Sequence, residues 1–306
     1  MMTSIPDHNP DALYPIRTVS SLTGVNPVTL RAWERRYGLV KPHRTPKGHR
    51  LYTEEDIALI REVVDLLGAG ISIGQVRQRL EGGRVAAGPE PGDADAWHRY
   101  QDRMFLGITR FDEAALDAAY NDALSLYPVD VVTERLVKPL LRTLGERWQE
   151  REGGIAEEHF FATYLRNKLG ARLHHLAAQR HRHRILAACL PGEHHELGLL
   201  LFCLAAASHG FGFVILGADT PLAQVAYAQD VSACSAILLS GSTAPGQAAL
   251  DDLPRLVARA GVPVLVGGYA AVAHRSAILA SGAVPLGADV HAALRLLPQV
   301  VGQRTA

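Results

Sequence analysis

The sequence predicts a multidomain chain: an all-α unit first, a second helical unit next, and an α/β unit on a parallel sheet last. Three observations predict it. Residues 14–81 are helix-rich and basic; residues 96–180 keep a helical period with almost no strand signal; from Arg182 onward, short apolar runs alternate with helical stretches. With 306 residues, 48% of them hydrophobic, the chain is long enough for two or three cores and too apolar for a disordered polymer. Formal net charge is zero, so total charge excludes no partner. Local charge is informative: between Arg31 and Arg50, seven Lys and Arg stand against the single acid Glu34.

In the first unit, "IRTVSSLTGVNPVTLRAWERRYGLV" reads as a helix, a turn at Thr23-Gly24, and a second helix capped by Asn26 with Pro27 at its first position. That is the spacing of a helix-turn-helix. The second helix projects Thr29, Arg31, Arg35 and Arg36 outward and turns Leu30 and Trp33 inward. "KPHRTPKGHRLYT" then sets basic residues around Pro and Gly, as a β-hairpin wing does. Arginines on the helix suit base edges, whereas Arg44, Lys47 and Arg50 of the wing suit phosphates. A basic run by itself is equally a solvated face. In this order, however, the segments resemble the MerR-family winged helix-turn-helix over residues 14–81. The resemblance implies two more helices, near 54–67 and 73–80, and binding to double-stranded operator DNA as a dimer or higher oligomer. MerR proteins that sense metals or drugs usually continue into a coiled coil; here residues 82–95, rich in Gly and Pro, read as a flexible linker.

Residues 96–180 divide into four helices, about 96–109, 112–125, 128–151 and 155–179, with short connections that favour an antiparallel four-helix bundle. Trp148 falls near the end of the third helix, Glu158 and His159 at the start of the fourth, and Gly153-Gly154 turns the chain between them. Taken singly, Trp148 is a core residue and Glu158 an acid favoured by the helix dipole.

Residues 182–302 scan as "RILAACL", "FGFVILGA", "SAILLS", "VPVLVGG" and "AVPLG" separated by helical segments. Near-continuous apolar strands of this kind belong to a doubly wound, Rossmann-like parallel sheet covered on both faces. Ligands of such sheets bind beyond the carboxyl ends of the strands. There, "LPGEHHELG" carries Glu193-x-His195-x-x-Gly198: an imidazole with an acid to orient it, and a glycine expected to let the next helix approach closely. A lone loop histidine is more often solvated or structural, and His194 stands beside it. His174, His175, His181 and His183 are dense enough for zinc, but Arg180, Arg182 and Arg184 among them oppose a cation. The pattern around His195 resembles that of cobalamin-binding domains, in which the histidine replaces the cofactor's own base as lower axial cobalt ligand. In those domains a Ser-x-Leu and then a Gly-Gly follow. Here 41 residues separate Gly198 from Ser240, and Gly267-Gly268 follows, with Ser242 where the family has Leu. The resemblance implies a nucleotide tail buried near Ser240, Gly241, Ser242, Thr243, Gly267 and Gly268.

Nine residues separate Trp148 from Glu158-His159. That segment, and the order of the three units, resemble the CarH/LitR group of light-responsive cobalamin repressors. The resemblance implies adenosylcobalamin as cofactor, with Trp148, Glu158 and His159 over its upper face. It implies a non-enzymatic repressor, tetrameric on operator DNA in the dark, that lets go when light breaks the cobalt–carbon bond. Where family members that end in a bis-histidine adduct carry a second histidine, directly after the Trp, this chain has Gln149. Other readings keep the DNA reader but sense cobalamin level or another tetrapyrrole, or make the chain a corrinoid-carrying methyltransferase component, for which no substrate-activating unit is recognisable. No signal pattern, no membrane-length apolar run and three cysteines without a CxxC pair point to a reduced cytoplasmic, nucleoid-associated protein.

Overall fold

The computed structural model describes residues 12–80, 91–147, 152–177 and 183–302. Trp148, Gln149, His181 and most of the expected linker lie outside the described residues. In the first unit, strand β1 (Tyr14–Pro15) leads into helix α1 (Ile16–Thr23), which stops at Gly24 with φ at 72°. A positive φ is inexpensive only for glycine, so the turn falls there. Asn26 accepts from the backbone N–H of Thr29 and Pro27 opens α2 (Pro27–Ala32), which runs on through a π-helical turn, Trp33–Tyr37. Strands β2 (His43–Arg44) and β3 (Arg50–Tyr52) pair antiparallel, and β1 joins the other edge of β3, giving the order β1-β3-β2. Thr53 and Asp56 form a reciprocal capping box at the start of α3 (Glu54–Gly68), and α4 (Ile73–Leu80) follows. Val19, Leu30, Trp33, Tyr52, Ile60 and Val63 are fully buried beneath this wing.

The bundle comprises α5 (Pro91–Thr109), α6 (Glu113–Leu126), a third rod and α9 (Gly154–Ala177). The third rod is α7 (Val129–Val132), a π turn (Thr133–Val137) and α8 (Lys138–Arg147) in succession. The first helix starts at Pro91, so residues 91–95 are helical where a linker is expected from composition. Proline suits a helix's first position, where its missing N–H has no partner to lose.

The last unit alternates β4 (His183–Cys189), α10 (Leu197–Ser208), β5 (Phe211–Gly217), α11 (Leu222–Ser232), β6 (Ala236–Ser240), α12 (Gln247–Ala260) and β7 (Val264–Gly267). It closes with α13 (Tyr269–Ala273), α14 (Arg275–Ala280), β8 (Val284–Gly287) and α15 (Val290–Gly302). All five strands are parallel, in the order β5-β4-β6-β7-β8. Chain direction across the sheet therefore reverses between β4 and β6, and the loops after those two strands part there, leaving a crevice. Helix α10 is apolar all round because it is packed between the sheet and α9, with every residue from Leu199 to Ala207 buried. Cys189, Cys203 and Cys234 are free and buried. No described helix is long and apolar enough to cross a membrane.

Candidate functional site

The crevice between β4 and β6 is organised around one carboxylate. Glu193, 2% exposed, accepts through Oε1 from the backbone N–H of His195 at 2.7 Å and faces its Nδ1 at 2.8 Å. Through Oε2 it accepts from the backbone N–H groups of Ser242 and Thr243 at 2.7 and 2.9 Å, and from both hydroxyls at 2.8 and 3.0 Å. Burial alone pushes this carboxyl up, but the donors from His195, Ser242 and Thr243 outweigh it and hold the group at about 2. A permanent carboxylate against Nδ1 fixes the proton there, leaving Nε2 as the free lone pair. The His195 side chain is 70% exposed, so that nitrogen is presented to the outside. The loop is braced from β5: Gly192 N–H donates to Asp219 Oδ1 at 2.7 Å, and Asp219 N–H to the Glu193 carbonyl at 2.8 Å. Sequence reading missed Asp219; its signal is "GADTP" immediately after a strand. The nearby Cys189 thiol is pushed up to about 12 by burial and by Glu193 and Glu196, so it stays protonated at neutral pH.

Beside this loop lies a cavity of about 730 Å³ between the sheet's carboxyl edge, α10 and α15, with Lys138, Pro139 and Arg142 of α8 along its far wall. Ser240, Ser242, Gly267, Gly268 and Gly198 line it; Gly241 and Thr243 do not. Thr243 turns to Glu193 instead, and Gly241 is buried, its carbonyl accepting from Ala270 N–H at 3.1 Å. A Cβ on Gly268, whose φ is +85°, would lie 2.4 Å from that same carbonyl oxygen. Gly198 differs from expectation. A Cβ there would meet nothing nearer than Ser240 Oγ at 4.0 Å, so this glycine widens the cavity rather than admitting a close helix.

Glu158 and His159 sit in the second turn of α9, 3.6 Å apart, with His159 mostly exposed. Seven residues on, Arg166 pairs with Glu196 of the His195 loop at 2.7 Å. Seven residues are close to two turns, so His159 and Arg166 share the face of α9 turned toward that loop. Along it, Ala162, Thr163 and Gly170 are small, and a Cβ on Gly170 would touch nothing within 4 Å. Among the described residues, no group of three or more His, Cys, Asp or Glu is assembled for a metal.

In the first unit Arg35, Arg36, Arg44 and Lys47 are exposed, and Arg31 and Arg50 half-buried. Glu34 gathers two wing cations, Arg44 at 2.7 Å and Arg50, which together hold its carboxyl below the usual range against the opposing effect of burial. Thr29, expected to point outward, is fully buried. Its hydroxyl donates to the Leu124 carbonyl at 3.1 Å because the last turn of α6 is docked on α2.

Comparison with known proteins defines the class. A family model described as MerR HTH family regulatory protein matches residues 14–83, and one described as B12 binding domain matches residues 100–173, the helical bundle. The monomethylamine corrinoid protein of Methanosarcina barkeri superposes with a TM-score of 0.51 at 16% identity, covering 66% of this chain and 99% of that one, a likeness of fold. The chain is thus a cobalamin-binding regulator of MerR type. It is 32% identical to the HTH-type transcriptional repressor CarH of Myxococcus xanthus, over 86% of this chain and 91% of that protein. The HTH-type transcriptional repressor CarA of the same organism is 31% identical over 88% and 91%. The HTH-type transcriptional regulator MlrA of Escherichia coli shares 35% over 44% of this chain and 52% of its own. This chain belongs to the CarH/CarA family of transcriptional regulators.

Proposed function

We propose that the protein is a transcriptional repressor that holds operator DNA as a cofactor-dependent oligomer and releases it in the light, with adenosylcobalamin as the light-absorbing group. The observation that carries this is the single oriented imidazole. His195 has one nitrogen committed to a buried carboxylate and the other free and exposed, beside a glycine-lined cavity and below a helix face of small residues. These residues fit a corrinoid. His195 would hold the metal from below; Ser240, Ser242, Gly267 and Gly268 would border the nucleotide tail; Glu158, His159 and, from the sequence, Trp148 would cover the upper side. The cofactor supplies, when bound, a cobalt–carbon bond that visible light breaks.

What the protein supplies is orientation and readout. Glu193 keeps the proton on Nδ1 and makes Nε2 a better donor to the metal. Helix α9 is bonded to the His195 loop through Arg166 and Glu196, so a change at the metal side of that loop is passed to the bundle. The test is gel filtration with adenosylcobalamin, dark against illuminated, for the natural chain and His195→Ala. The expected result is a larger species only in the dark, only with cofactor, and weakened in the variant. A size indifferent to cofactor and light in both proteins sinks the proposal. One observation favours a second reading: Gln149 coordinates cobalt poorly, which suits a regulator of cobalamin level. Cofactor-dependent assembly that ignores illumination would select it.

A further inference from the structure

Among the contacts that fasten the DNA-reading unit to the rest of the chain, three bear on the helix-turn-helix and its junction; Arg135, donating to the Gly68 carbonyl at 3.2 Å, and the Arg295–Asp65 pair at 3.9 Å add to them. The last turn of α6 has carbonyls with no partner inside its own helix. The Leu124 carbonyl accepts from Asn26 Nδ2 at 3.2 Å and from the Thr29 hydroxyl at 3.1 Å, and the Leu126 carbonyl accepts from Trp33 Nε1 at 2.9 Å. Second, the helix-turn-helix turn sits on His209 at the end of α10; a Cβ on Gly24 would lie 2.3 Å from its Nε2. Third, His291 in the first turn of α15 faces Asp130 Oδ2 of α7 through Nδ1 at 2.9 Å and Asp65 Oδ1 of α3 through Nε2 at 3.0 Å. One imidazole thereby joins all three units.

We propose that this docking is a closed state of the regulator: the carbonyl end of α6 covers the reading face of α2, His291 latches the unit shut, and DNA is read only after the latch opens. The inference rests on the DNA-reading role of α2. On that role, the donors of Asn26 and Thr29 are spent on protein carbonyls that stand where acceptor atoms of base edges would. Thr29 is fully buried, and a face packed against α6 cannot also admit a duplex. The basic side chains Arg35 and Arg36 remain exposed beside it, at a shallow pocket shared with Ser125 of α6. The closed form therefore keeps much of the electrostatic attraction for DNA while withholding the helix.

The experiment places spin labels at Glu55→Cys on α3 and Asp252→Cys on α12, both exposed, in the full chain, whose three native cysteines are buried. Electron–electron distance measurements should give one narrow distance without DNA. Asp65→Asn, which alters the exposed partner of His291 together with its 3.9 Å pairing to Arg295, and His291→Ala should broaden and lengthen it, as should a bound mixed-sequence duplex of about 30 base pairs at low salt. If about a tenth of the molecules are open at rest, the latch variants should bind that duplex about tenfold more tightly. A distance that stays narrow in both variants and on the bound duplex overturns the closed state. Absence of duplex binding in every sample, read by gel retardation, overturns the reading role of α2 instead.

Discussion

Glu193 concentrates the chemistry of the site in one side chain. Its carboxyl, held at about 2 against an ordinary 4.5, is lower in the folded protein than in the unfolded chain. The sign follows: the stability it contributes is present above 4.5 and is lost as pH falls from there toward about 2. Acid unfolding of the natural chain, followed by near-ultraviolet circular dichroism, should show a limb in that window that Glu193→Gln flattens. The same variant should weaken cobalamin binding by about 10- to 100-fold, as measured by equilibrium dialysis, because an amide cannot hold the imidazole's tautomer as a carboxylate does. The Glu193–His195 pair is legible from local spacing. Its support by Ser242 and Thr243 is not, because those residues lie 49 and 50 positions away.

At the scale of elements, the five strands and the helices between them follow from unbroken apolar runs, since a strand buried on both faces leaves no polar alternation to confuse it. Glycines separate the two kinds of loop requirement. Gly268→Ala combines a left-handed backbone with a collision against the Gly241 carbonyl, so it should cost ~2–4 kcal/mol and lower the urea midpoint. Gly198→Ala, with open space and an ordinary backbone, should keep the unfolding free energy within about 0.5 kcal/mol of the natural chain's and instead reduce cobalamin affinity. Equal losses of stability in the two variants would contradict the distinction. In the first unit, the Asn26 cap and the wing are local features and are readable; the burial of Thr29 is not, because what covers it belongs to another unit.

In the whole molecule, two histidines at the junction of the three units titrate in opposite senses. The carboxylate of Asp130 foremost, and that of Asp65, raise His291 above 6.5 against burial and the nearby Arg295. Its support for the docked arrangement is complete below 6.5 and fades as pH rises through the raised value. Burial lowers His209, with His291 and Arg61 adding to the effect and Asp130 opposing it; it is held neutral, so its support is present above 6.5 and fades as pH falls through the lowered value. Glu134, Arg135 and Asp289 line the same pocket around His291 and set the surrounding field. The docked population should therefore peak near pH 6.5, as read by the same spin-label distance. His291→Gln should remove the alkaline fall and His209→Gln the acid one; a population that is flat with pH refutes the assignment. Helix α15 is common to both ends of the molecule: Val290 and Ala293 line the cavity, and His291 between them meets Asp130 and Asp65.

By itself the sequence determined the three units and their order, the strand and helix positions, and the Glu193–His195 pair, all of which depend on residues within a few positions of one another. Only the tertiary structure decided which glycines bear weight and which leave room, what holds Glu193 charged, and that α2 is covered by the end of α6. Each of those is a contact between segments far apart in the chain, where periodicity and spacing carry no information about which surfaces meet.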